Sequence, residues 1–400
     1  MSASGYPPRK SGYLGGALPA VLFITLLFWV NYTNRAVLGP LLVHMEKGLN
    51  LDHVQATSLF LFLSVGFSLG LLCSGFATAT VAPRNVMVFS IVGSGIMMLG
   101  IANSQTLWEA RTFFGLLGAV AGTYMPATMA TLGSLVSPEN WSRAIALHEM
   151  SPVVSFIVSP LLAETLAARS CWQNTMIVMG CLSVFVGFLF FLFGKGGREK
   201  TERPSAGGIA EVFRQPVFWA FTWLFGLAVG GEFTPYSLLP LSLTAEQGLN
   251  STEASRLLSL SRIASPVAVL LGGWAVSRIG VARSLLLFLV VHGIALMAMA
   301  FPVSLVGRGG MFAAMTLQAI ASAFSFPPLF ALLAGAFPPG RQALLLSLSL
   351  PAAISAGTGL IPLFLGFCGE YTSFSLGYAI FGVLCLITLP VLPFCKNGAR

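Results

Sequence analysis

Few side chains in this sequence could do chemistry inside an apolar medium, and they recur in a small set of places. Three arginines, Arg35, Arg111 and Arg262, and two glutamates, Glu149 and Glu232, fall within long apolar runs, with Glu164 near the end of the run that holds Glu149. A charge at mid-membrane costs about 2.5–3.5 kcal/mol on insertion scales, so each is a functional candidate. Arginine presents a planar fork suited to carboxylate or phosphate. Arg35, with Asn31 one turn before it and Asn34 beside it, reads as a clamp on an anionic solute. The alternative is a structural ion pair with Glu149 or Glu232. Arg262, with Ser259 and Ser265 three residues to either side, invites the same pair of readings.

His148 and Glu149 are adjacent, and His148 begins a stripe with Ser151, Ser155 and Ser159 at helical spacing. That polar face is expected to line a cavity. A buried carboxylate or a histidine there could bind and release a proton near neutral pH. Glu149, with or without His148, is therefore a proton-coupling candidate, the alternatives being a buried salt bridge and a structural hydrogen bond. Glu232 lies in a Gly230-Gly231-Glu232 stretch where a bend is expected, with Tyr236 one turn on. It is a gating and coupling candidate, or else an ion-pair partner for Arg35. Gln318, Ser322 and Ser325 form a polar line that could touch solute or pack. The pairs Gly357/Gly359 and Gly272/Gly273 are expected to allow close helix contact.

The elements that must position these groups follow from composition. Of 400 residues, 56% are hydrophobic and 8% charged, with mean hydropathy +0.85. Soluble domains carry about 25% charged residues, so this is an all-α polytopic membrane protein set in a lipid bilayer. The net charge of +8 lies in short loops between apolar runs and does not indicate nucleic acid as a partner. The six cysteines lack metal-ligand spacing, no cofactor or metal is expected, and no phosphate loop or catalytic motif is present, so the chain is not expected to be an enzyme. No cleavable signal peptide is recognisable.

A span needs roughly 20 apolar residues. Runs fall near 17–42, 54–79, 84–102, 105–136, 140–166 and 172–194, then near 216–244, 252–277, 283–302, 309–337, 341–367 and 371–394. These are twelve helices in two halves, 1–194 and 216–400, separated by a charged, Gly- and Pro-containing linker at 195–215. The halves resemble each other: Glu46-Lys47-Gly48-Leu49-Asn50 lies over Glu246-Gln247-Gly248-Leu249-Asn250 at a shift of 200. Such a repeat points to a duplicated transporter fold; chance similarity of leucine-rich runs is the alternative. With the amino terminus inside, 14 Lys and Arg fall on the cytoplasmic side and 4 outside. Both termini are then cytoplasmic, and the short loops suggest a bacterial inner membrane.

Six plus six helices with a charged central loop resemble the major facilitator superfamily. Its cytoplasmic motif survives in part as Gly273, Ser277, Arg278, Gly280 and Arg283, and less well as Gly75, Ala79, Ala82 and Arg84, without the family's aspartate. Arg111, Gly115 and Gly118 resemble an arginine–glycine pattern tied to proton coupling. Ser159-Pro160 stands where exporters of the family carry Gly-Pro. Asn31-Tyr32-Thr33-Asn34-Arg35 resembles the Asn-Tyr-x-Asp-Arg stretch of its organic anion symporters, with Asn34 for aspartate. The resemblance implies a secondary active transporter, expected to be a monomer, moving a small organic anion with protons by alternating access. Candidate substrate contacts are Arg35, Asn31, Asn34, Arg262, Tyr236 and Gln318; candidate coupling groups are Glu149, His148, Glu232 and Arg111. Two other readings are an exporter of an amphipathic compound or metal chelate, and a non-transporting receptor or assembly factor on the same fold.

Overall fold

The computed structural model describes residues 15–167, 171–200, 212–336 and 339–393. Among them no strand occurs, and twelve helices are long and apolar enough to cross a membrane. They are α1 Leu18–Gly48, α2 His53–Thr80, α3 Pro83–Ala102, α4 Leu107–Leu135, α5 Trp141–Ala167, α6 Trp172–Phe193, α7 Pro216–Ala245, α8 Ser251–Ile279, α9 Val281–Ala298, α10 Val303–Gly335, α11 Leu345–Tyr371 and α12 Phe374–Val391. The charged stretch 195–215 separates α6 from α7, and its residues 201–211 lie outside the described ones. Because the helices alternate in direction, the bundle has a near end, where α1 begins and α12 finishes, and a far end.

Far-end helix starts are written in local chemistry. Asp52 and Gln55 form a capping box on α2, and Thr106 and Glu109 form another on α4. Asn250 accepts from the Glu253 N–H at the start of α8, and Ser373 from the Leu376 N–H at the start of α12. Two boundaries differ from the hydropathy reading. The first helix runs on to Gly48 and the tenth begins at Val303, its backbone turning at Gly307 (φ 71°).

Prolines decide where helices break. A proline ring clashes with the carbonyl four residues earlier. The α1 helix is interrupted at Val37, beside the residue four before Pro40; α4 is interrupted at Thr123, beside the residue four before Pro126. In α8 the break spans residues 262–264, and it begins at Arg262, four before Pro266. The α7 helix, expected to bend at Gly230-Gly231, is instead continuous across Pro235 and Pro240. There the two glycines admit neighbours: a Cβ on Gly230 would crowd Gly357 of α11 at 3.0 Å, and one on Gly231 would overlap the His292 ring. Gly357 and Gly359 fall in a π-helical turn, Ser355–Leu360.

Small residues also lock α2 onto α4. A Cβ on Gly66 or Gly70 would overlap the carbonyls of Gly115 and Ala119; one on Gly118 or Gly122 would overlap those of Leu63 and Phe67. Both helices carry glycines four apart on the contact face, so the backbones meet directly. Gly272 abuts the Phe324 carbonyl, whereas Gly273 faces open space.

Side-chain hydrogen bonds join the first six helices to the last six in the middle and at the far end of the bundle. Ser68 donates to the Pro351 carbonyl (2.8 Å), Ser259 to the Ile157 carbonyl, and Glu164 and Glu370 accept from the opposite set of helices.

Candidate functional site

At the middle of the bundle, aromatic rings bridge the two halves, and an arginine stands at each end of the bridge. Tyr32 of α1 meets Phe156 of α5 edge-on (centroids 5.3 Å), and Phe156 meets Tyr236 of α7 (4.4 Å). The Arg35 guanidinium lies 4.8 Å from the Tyr32 centroid and 4.5 Å from that of Phe67 on α2. The Arg262 guanidinium lies 5.5 Å from Tyr236 and 5.8 Å from Phe156. Rings stabilise a cation through their quadrupole, by up to ~2 kcal/mol when desolvated. Both arginines sit at proline-induced breaks, Arg35 two residues before Val37 and Arg262 in the break of α8.

The two differ in their partners. Arg262 is 1% exposed and pairs with Glu232 of α7 at 3.2 Å; its other terminal nitrogen is 3.4 Å from the Gln318 side-chain oxygen. Gln318 in turn donates to the Gly231 carbonyl at 2.6 Å. The carboxylate expected to reach Arg35 is thus held within the second half. Among the described residues no ion pair includes Arg35, and its Nε is buried without a hydrogen-bond partner. Nearby, Ser265 Oγ, Arg262 Nε and Glu232 Oε2 are also buried without partners. Buried polar groups are ordinarily satisfied, so these atoms are candidates for contact with a polar solute.

Other expected contacts fall elsewhere. Asn31 donates to Ser90 of α3 (3.4 Å) and Asn34 to Ser183 of α6 (2.8 Å), so both amides tie α1 into the first half. The stripe of Ser151 and Ser155 faces α1, not a cavity: Ser151 donates to the Thr25 carbonyl and Ser155 meets Thr33 at 2.9 Å. Ser322 packs on the Ala228 carbonyl and Ser325 on that of Ser322. Of that line, only Gln318 reaches the centre.

His148 is fully buried, stacked on Phe28 at 4.2 Å, and its Nδ1 is 3.0 Å from Glu149 Oε1. Glu149 itself, expected to be buried, has a side chain 45% exposed. Its helical face explains this. Residues 153, 157, 160 and 164 continue the face of Glu149 along α5, and farther up that face packs on α8 through Ile157 and Glu164. Glu149 lies toward the other end of α5, where that face leaves its side chain partly exposed. Arg111 is remote from these acids: its Nε and one terminal nitrogen donate to Ser58 of α2 at 3.0 and 2.9 Å, and it stacks on Trp108 (4.8 Å).

The sequence reading passed over Phe67 and Phe156. An aromatic on an apolar helix carries no polar signal, and only the arginines packed on these two distinguish them from core residues.

Twelve spans around a central charged seam define a polytopic membrane protein. The chain belongs to the Major Facilitator Superfamily, whose family model matches residues 24–305 and again 224–396. It is similar to "Probable nitrate/nitrite transporter NarK2" of Mycobacterium tuberculosis, 23% identical over 267 residues, which cover 66% of this chain and 68% of that protein. It is also similar to a TsgA homolog of Erwinia tasmaniensis, 21% identical over 63% of this chain and 65% of that one. Among solved structures, a bacterial homolog of the lysosomal transporter Spinster, inward-facing and occupied, superimposes with TM-score 0.77 at 14% identity, covering 95% of this chain and 97% of that one. The nucleoside transporter NupG gives 0.79 at 13% identity, covering 94% and 99%. The protein is a secondary transporter, not an enzyme.

Proposed function

We propose that this protein moves a small planar anion, a carboxylate or a nitrate-like oxyanion, by alternating access and with protons. The observation that carries this reading is Arg35. Its guanidinium rests on two rings, which occupy its faces, while its edge has no carboxylate among the described residues. An arginine held in this way offers two parallel N–H donors to a planar oxyanion. The name of the NarK2 relative, a nitrate/nitrite transporter, agrees with an anionic cargo.

Coupling follows from competition. An anion bridging toward Arg262 displaces Glu232, and the freed carboxylate is the group that exchanges its arginine for the coupling proton. Glu149 with His148, open to the near end, is the group that passes that proton onward. Arg111, held by Ser58, steadies α2 against α4. The excess of Lys and Arg at the near end supports a cytoplasmic near end with both termini inside. The bacterial relatives support a bacterial inner membrane, and a monomer suffices because the site lies within one chain.

Uptake of formate, acetate, nitrate and a neutral sugar into proteoliposomes, with and without an inward proton gradient, tests the reading in wild type, Arg35→Lys and Arg262→Lys. Gradient-stimulated anion flux, lost in both variants by at least tenfold, is expected. Equal movement of the neutral solute by all three proteins, without anion flux, would overturn it.

A further inference from the structure

Each half closes the far end of the other with the same device. Glu164, at the far end of α5, is 7% exposed and reaches across to the first turn of α8. Its Oε1 accepts from Ser251 Oγ (2.7 Å) and Thr252 Oγ1 (3.0 Å); its Oε2 accepts from Ser255 Oγ (3.5 Å) and lies 3.4 Å from His44 Nε2 of α1. On the opposite seam, Glu370 at the far end of α11 accepts the backbone N–H of His53 (2.9 Å), the first residue of α2. A helix start carries partial positive charge and free donors, so a carboxylate there is doubly stabilised.

The two contacts are related by the duplication. In each, a carboxylate closing the fifth helix of one half docks on the start of the second helix of the other half. The repeated Glu46–Asn50 and Glu246–Asn250 segments lie immediately before those two helix starts. Each receiving helix start is capped by a short polar side chain, Asp52 on α2 and Asn250 on α8.

We infer that Glu164 and Glu370 are the paired positioning residues that hold the far gate shut, and that opening the transporter outward means withdrawing both from the helix starts they dock on. The inference rests on the alternating-access part of the proposed function and is independent of the cargo. Side-chain differences set unequal shares. Glu164 is buried with three hydroxyl donors, whereas Glu370 is exposed with one backbone donor, so Glu164 contributes more.

Spin labels at Lys47 and Ser304, exposed far-end positions on opposite halves, read the gate in a background with the native cysteines replaced. A second pair at Thr80 and Ser277 reads the near end. Without substrate, Glu164→Gln is expected to raise the far-open population on the order of tenfold, the size of one charge-assisted helix-end contact. Glu370→Gln should raise it less, and the double variant more than either. The near-end distance must shorten in step, which loss of folding would not produce. Ser251→Ala/Thr252→Val removes donors and keeps the acid, and should open the gate as well. Distances unchanged from wild type in Glu164→Gln and in the double-donor variant would overturn the inference. A failure of the anion-flux assay leaves these distances unaffected, so the two readings stand or fall separately.

Discussion

Arg262 and Glu232 form a 3.2 Å ion pair whose arginine is 1% exposed, and the second carboxylate oxygen, Oε2, has no partner. A buried pair broken on one side leaves an uncompensated charge, a cost of about 3–5 kcal/mol. Glu232→Gln is therefore expected to lower thermal stability in detergent. An anion can take the missing partner's place, so added nitrate or acetate should raise the melting temperature of Glu232→Gln more than that of wild type. Proton-gradient stimulation should vanish in the same variant, because the group that exchanges between arginine and proton is gone. Retained stimulation would place the coupling proton elsewhere.

Helix α2 and helix α4 meet backbone to backbone at Gly66, Gly70, Gly118 and Gly122. Overpacking such a contact costs about 1–3 kcal/mol. Gly118→Ala, which drives a Cβ into the Leu63 carbonyl, is expected to lower the melting temperature in detergent. Gly273→Ala, where a Cβ meets open space, should leave it unchanged. Equal melting temperatures for the two variants would mean that the helices separate more easily than the packing implies.

The partial exposure of Glu149 makes a directional prediction. With its side chain 45% exposed on the face of α5 that packs on α8 farther up, Glu149→Cys in the cysteine-replaced background should react with a charged, membrane-impermeant thiol reagent. Reaction should come from the cytoplasmic side and slow when Glu164→Gln shifts the molecule outward. Failure to label from either side would put Glu149 against lipid and remove it from the proton path.

Much of this architecture was legible in the residues. Hydropathy placed twelve spans because a backbone in lipid must satisfy its own hydrogen bonds, and helices do so locally. The two arginines stood out because charges are rare in apolar runs, and the prolines four and five residues beyond them already encoded the breaks at which they sit. Pairing was another matter. Glu232 was equally available to Arg35 and Arg262 in one dimension, and only the packing of α7 against α8 within its own half decided for Arg262. The serine stripe of α5 was correctly seen as one face, but periodicity gives an angle about an axis and not the neighbour across it, so its burial against α1 came from the bundle. Glu149 shows the converse: its depth in the span suggested burial, and the packed bundle leaves its side chain 45% exposed. The far gate needed both levels. The repeated segment was present in the sequence, and only tertiary structure set Glu164 and Glu370 on the helix starts that follow those segments.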